Sequence, residues 1–188
     1  SVYAALDVTS KSEALQKLTD DAIQLAVWTT TPWTLPANLA VAVNGDLTYA
    51  VVDSGERKLI VAEDLVDELA AKFDTPLNVI GLLKGEALVG TTYSRPVPND
   101  AIPGDASVVL GGDYITSEGG TGLVHTAPGH GQDDYQTGLK YDLPLFSPVD
   151  AAGKFTSEAG ADLEGLPVLT KGSEEITERL GDKVLLSE

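Results

Sequence analysis

Apolar residues recur along this chain in short blocks rather than in long amphipathic runs, and the blocks mostly carry the period of a strand. Ser1 to Val8 alternates weakly, with Val2, Ala4, Leu6 and Val8 on one side, and predicts an entering strand. Thr9 to Asp21 is polar and charged, a short helix or an exposed excursion. Ile23 to Thr29 is a buried strand, and Leu39 to Val43, the Asn44-Gly45-Asp46 turn and Thr48 to Val52 read as an antiparallel hairpin that Lys58 to Ala62 extends into a meander. Asp64 to Phe73 changes period: Leu65, Val66, Leu69, Ala70 and Phe73 fall on one helical face, with acids at its start and Lys72 near its end, as the helix dipole favours. A strand-like run follows over Leu77 to Gly90. Tyr93 to Pro103 is a proline-rich extended crossing, and Ser107 to Leu110 and Gly122 to Ala127 are strands on either side of a glycine-rich turn. His130 to Leu139 opens a second helix with Asp133 and Asp134 in its first turn, and Val149 to Pro167 is loop-rich. Ser173 to Leu180 is a last helix, with Ser173 as N-cap and Gly181 as C-cap. Many short strands with few helices predict a mainly β protein of α+β character, a β-barrel core with peripheral helices.

Composition narrows this picture. At 188 residues and 43% hydrophobic, the chain suits one domain over residues 1–188 with a substantial core. It has no cysteine, which removes disulfides and thiolate zinc sites, and no methionine, so that a chain starting at Ser1 reads as a processed or excised piece of something larger. No apolar run reaches the roughly 20 residues of a membrane span and no signal pattern opens the chain, so a soluble cytoplasmic protein is expected. The formal net charge of -17, from scattered acids, argues against a protein that holds nucleic acid chiefly by neutralising phosphates.

The candidate chemistry lies in two windows about ninety residues apart. The first is Trp28-Thr29-Thr30-Thr31-Pro32-Trp33-Thr34-Leu35-Pro36-Ala37-Asn38, in which the prolines stiffen the backbone and hold Thr31 and Leu35 out of the α region. The second runs from Gly120 to Tyr135 and holds both histidines, His125 and His130, with the Asp133-Asp134 pair. Taken singly these stretches are ambiguous. The threonines suit any strand end, and the histidine spacing is not that of a helical His-Glu-x-x-His metal site. No Gly-x-Ser-x-Gly elbow exists, and Gly119-Gly120-Thr121-Gly122 reads as a structural turn.

Together, the two windows resemble the editing domain inserted in isoleucyl-tRNA synthetases, class I aminoacyl-tRNA synthetases. Gly85-Glu86-Ala87-Leu88-Val89-Gly90 and Pro148-Val149-Asp150 with Gly153 extend the likeness over nearly the whole chain. The valine and leucine relatives carry arginine after two threonines where this chain has Thr31, which points to the isoleucine enzyme. Signatures of the His-Ile-Gly-His and Lys-Met-Ser-Lys-Ser types are absent from the sequence.

The resemblance implies hydrolysis of valine esterified to the 3′ end of tRNA(Ile), with the rest of the parent synthetase as partner and with neither cofactor nor metal. By the same resemblance Asp134 anchors the substrate's α-ammonium, and His125 walls the side-chain pocket and helps place the ester, so that Thr29, Thr30, Thr31, His125 and Asp134 are the expected catalytic residues. Thr29, Thr30, Thr31 and Thr34 surround substrate and water, Asn38 closes the loop, Trp28 packs beneath it, and His130 and Asp133 stand behind. The rivals are a module that captures the aminoacylated 3′ end without cleaving it, a metal-dependent hydrolase using His125, His130 and an aspartate, and a free-standing deacylase.

Overall fold

The computed structural model describes residues 1–188. Its strands are β1 (Val2–Ser10), β2 (Gln24–Thr29), β3 (Ala40–Val43), β4 (Thr48–Asp53), β5 (Lys58–Ala62), β6 (Asn78–Lys84), β7 (Thr92–Tyr93), β8 (Ala106–Leu110), β9 (Leu123–Thr126) and β10 (Val184–Ser187). Four helices, α1 (Glu13–Leu18), α2 (Val66–Lys72), α3 (Gln132–Lys140) and α4 (Ser173–Leu180), lie around them. All ten strands join one mixed sheet in the order β6-β4-β5-β2-β1-β7-β8-β3-β9, with β10 beside β1.

The long strand β1 holds the two halves together. Its first part pairs with β2 and β10, and its end, from Val8 to Ser10, pairs with β7. The sheet curls until β9 lies against β2, and at the end of β5 Ala62 N–H donates to Thr121 O, just before β9, at 2.8 Å. It does not close. The strand order ends at β6 and β9, and β9 touches β2 without a ladder between them, so the expected β-barrel is an open, curled sheet. Between the halves lies one cluster of 36 buried hydrophobic residues, among them Leu25, Val27, Val41, Val51, Ile60 and Leu123.

The expected hairpin between β3 and β4 is also absent. The Asn44-Gly45-Asp46 turn forms, with Asp46 N–H on Asn44 Oδ1, but it passes the chain from one half of the sheet to the other. Strand β3 is flanked by β8 in parallel and β9 antiparallel, whereas β4 lies between β5 and β6. All four residues of β3 are buried, the pattern of a strand covered on both faces rather than of a hairpin arm. Gly85 makes the crossing possible, because a Cβ there would stand 2.1 Å from Asn44 O.

The helix expected over Asp64 to Phe73 is present as a 3-10 turn, Glu63–Leu65, running into α2 with Phe73 as its C-cap. Ser173 is not an N-cap. A π-helical turn, Val168–Gly172, leads directly into α4, so the backbone is already helical at Ser173 and its hydroxyl donates back to Val168 O at 2.8 Å. Gly181 ends α4 with φ 54°, as expected of a C-cap glycine. No helix is long and apolar enough to cross a membrane.

Candidate functional site

Strand β2 delivers the first window. Thr29 is its last residue and is buried; the chain then turns through exposed Thr30 and Thr31 into a 3-10 turn, Pro32–Ala37, with Pro32 at its start. Pro32 fits there because the first helical position needs no N–H. Thr29 Oγ1 accepts from Thr31 N–H at 3.1 Å and lies 3.3 Å from Thr31 Oγ1. Trp28 alternates to the opposite face of the strand. It is partly exposed, stacks near Tyr3 and covers Gly120, so the structure does not bring it together with the threonines.

The second window meets the first through His125 on β9. Its Nε2 lies 2.9 Å from Thr34 Oγ1 and its Nδ1 2.8 Å from Asn38 Nδ2. The donors along this chain of contacts are determined by its ends. Tyr93 O–H donates to Asn38 Oδ1 at 2.6 Å, so Asn38 presents its amide N–H groups to Ala40 O and to His125 Nδ1. Nδ1 must therefore be bare and Nε2 must carry the proton, which it donates to Thr34 Oγ1; the Thr34 hydroxyl in turn donates to Thr31 O at 3.0 Å. Every polar group in the chain is satisfied, from Tyr93 to the backbone of the threonine turn.

Sequence reasoning missed two members of this chain. Tyr93 and Arg95 stand at the start of the crossing segment, and Arg95 donates to Asn38 O and, at 3.0 Å, to Gly104 O. A buried asparagine needing several partners was the only signal for them, and which residues supply those partners is decided by the β7–β8 pairing. Asn38 itself is fully buried, so its amide supports His125 and does not face solvent.

Burial pushes the His125 imidazole down to about 4, with His130 nearby adding to the effect. With Nε2 protonated and Nδ1 occupied, His125 has no lone pair left to act as a base or to bind a metal. No group of three or more His, Asp or Glu side chains is placed to hold a metal ion. The pH consequence has a definite sign. The unfolded chain takes up the His125 proton near 6.5 while the folded one does not until about 4, so stability falls as pH drops through this interval. From pH 6.5 to 5 the loss is about 2 kcal/mol. Urea unfolding at the two pH values should show it, and His125 in the folded protein should keep its Nε2–H form with no imidazole titration above pH 5 by NMR. An imidazole titrating near 6.5 would contradict the fully bonded arrangement.

Asp134 lies in the first turn of α3, where the positive end of the helix favours an anion. Its Oδ2 accepts from the N–H of Ala127, two residues beyond His125, at 2.9 Å. Burial raises its pKa above the ordinary aspartate value, opposed by the Ala127 N–H and reinforced by neighbouring Asp133, which is exposed. No lysine or arginine pairs with Asp134. It is a half-buried carboxylate without a cation. His130 packs edge-on against Trp33, with ring centroids 5.1 Å apart at 81°, and forms a second contact between the windows. Just past the first window, Leu39 N–H donates to Thr126 O.

The isoleucine–tRNA ligase of Gloeothece citriformis is 52% identical over 191 residues, covering 97% of this chain and 19% of the relative. Those of Acaryochloris marina and a Nostoc species are 51% and 50% identical over 96% of this chain. The chain belongs to the isoleucine–tRNA ligase family. It spans about a fifth of the length of these synthetases. No family model matches it. The fold of this synthetase segment is that of the crystal structure of GlLeuRS-CP1, with a TM-score of 0.77 at 14% identity over 100% of this chain and 98% of that one. The editing domain of the P. knowlesi cytosolic leucyl-tRNA synthetase is also similar, with a TM-score of 0.57 at 16% identity over 95% and 83% of the two chains.

Proposed function

We propose that this synthetase segment is a proofreading hydrolase that removes valine from mischarged tRNA(Ile) by attack of water on the aminoacyl ester. An isoleucine pocket cannot exclude valine strongly, because a missing methylene is worth only about 1–3 kcal/mol, a limit for which these two amino acids are the standard illustration. A second, smaller site must therefore accept valine and refuse isoleucine. The observation that carries this reading is Asp134, a half-buried carboxylate with no protein cation, one of whose oxygens is fixed by a backbone N–H. In this reading Asp134 pairs with the α-ammonium of valine. Thr29, Thr30 and Thr31 hold the water and the ester, and Thr34, His125 and Asn38 hold the turn that presents them.

The cluster contains no protein nucleophile, and His125 has no lone pair to give. An activated ester does not need one, since orienting a water and stabilising the developing charge supply much of the acceleration. The same observation favours, as a second reading, a module that captures the aminoacylated 3′ end without cleaving it. In either case the segment does not activate amino acids, works in the cytoplasm, and relies on the rest of the synthetase to hold the tRNA. With a net charge of -17, the isolated chain binds tRNA weakly and more weakly as salt rises.

Deacylation of valyl-tRNA(Ile) and isoleucyl-tRNA(Ile), at high concentration of the chain and low salt, tests the proposal. Valine should be lost at least tenfold faster than isoleucine. Hydrolysis of neither ester, with retention of the valyl-tRNA by the chain, would favour capture. Equal hydrolysis of both would remove the second-sieve reading.

A further inference from the structure

Gly131 occupies the N-cap position of α3 with φ -139° and ψ 148°, an extended conformation open to every residue. Nothing in the backbone calls for glycine, and serine, threonine or aspartate would satisfy the helix start better. What the position lacks is room. A Cβ on Gly131 would stand 2.9 Å from Asp134 Cγ, 3.1 Å from Oδ1 and 3.2 Å from Oδ2, and these are its three nearest atoms. Two glycines nearby are different. Gly129 is pressed against the backbone of Phe146, and Gly138 against the Pro128 ring. Only at Gly131 is the missing side chain replaced by the carboxylate of Asp134.

We propose that Gly131 is a positioning residue of the site, kept free of a side chain so that the Asp134 carboxylate can lie back over the start of α3 and reach the Ala127 N–H. The functional part of this inference rests on the hydrolase reading above; the geometric part does not. A methyl group at position 131 displaces the carboxylate by several tenths of an ångström. That stretches the 2.9 Å bond to Ala127 and turns the group toward solvent. Asp133 on the same helix and Tyr114, which reaches α3 through Thr137, are the other titratable groups coupled to this position.

The test uses Gly131→Ala and Gly131→Ser in the 188-residue chain, the serine restoring a capping hydroxyl so that helix stability and carboxylate position are varied separately. Two readouts are taken: the NMR titration of the Asp134 carboxyl carbon and the rate of valyl-tRNA(Ile) deacylation. Both variants should keep a thermal midpoint close to that of the parent and lower the Asp134 titration midpoint, as burial is the larger cause of its elevation. Deacylation should fall tenfold or more in both, and Gly131→Ala added to Asp134→Ala should cost nothing further. An Asp134 titration unchanged in both variants would overturn the proposal whatever the activity. Equal losses from Gly131→Ala with and without Asp134 would overturn it too, by placing the effect in the fold. If the titration moves while the parent chain itself hydrolyses no ester, the positioning stands and the hydrolase reading fails.

Discussion

Asp134→Ala should reduce deacylation of valyl-tRNA(Ile) roughly a hundredfold to ten-thousandfold, the equivalent of removing one partner from a buried ion pair worth about 3–5 kcal/mol. The α-ammonium of valine leaves water when the ester is bound, and without a carboxylate its charge is left uncompensated. Asp133 cannot substitute, because adjacent residues on a helix point about 100° apart and its side chain is exposed. Asp134→Asn keeps the shape and the Ala127 N–H bond but loses the charge, and should fall between the parent and the alanine variant.

The loss should be one of function and not of fold. Burial raises the Asp134 pKa, so the folded state prefers the protonated group. Its ionised form costs stability above that raised value, and the cost disappears as pH falls through it. Removing the side chain relieves this cost and gives up the Ala127 N–H bond and the favourable helix start. The net change in unfolding free energy is therefore about 1 kcal/mol or less. For the same reason the acid limb of the pH–rate profile should sit above the range of an ordinary aspartate, since the anchor must be ionised to act. Near-parental deacylation by Asp134→Ala would remove the anchor assignment.

Much of this arrangement is legible in the sequence because it is local. The run from Ile23 to Thr29, the stiff proline turn and the acids of α3 each follow from a few neighbouring residues. What the sequence does not carry is pairing. Leu39–Val43 and Thr48–Val52 flank a good turn, and nothing local reveals that β3 is claimed by β8 and β9 from far downstream. The pairing of β7 with β8 places Tyr93 and Arg95 against Asn38. Closure of the sheet is likewise a global property. It fails because β9 and β2 touch without forming a ladder, a fact about strand order and not about any one strand. Trp28 shows the finest limit. Its position is local, but which face of β2 serves the site depends on where β9 lies.

Asn38→Ala should then be the most destabilising single change in the site. Its fully buried amide is the only group that satisfies Tyr93 O–H and His125 Nδ1 at once, and it also donates to Ala40 O. Truncation leaves the Tyr93 O–H and His125 Nδ1 unpaired, at about 1–3 kcal/mol each before relaxation, and takes a donor from Ala40 O, so a net loss of about 3–5 kcal/mol is expected. For a chain of this length that corresponds to a fall in Tm of about 10 °C, readable by calorimetry. Asn38→Asp is the sharper companion. A carboxylate still accepts from Tyr93 but cannot donate to His125 Nδ1. The ring must then place its proton on Nδ1, and Thr34 must turn its hydroxyl from Thr31 O to the bare Nε2. Imidazole 15N shifts would report that exchange of tautomer directly, and deacylation should weaken as the Thr31 turn loosens, although Asn38 touches no solvent. If Asn38→Asp kept the Nε2–H form, the order of donors from Tyr93 to Thr31 would be wrong. A fall in Tm of under about 3 °C in Asn38→Ala would show that the chain of bonds contributes little to holding the two windows together.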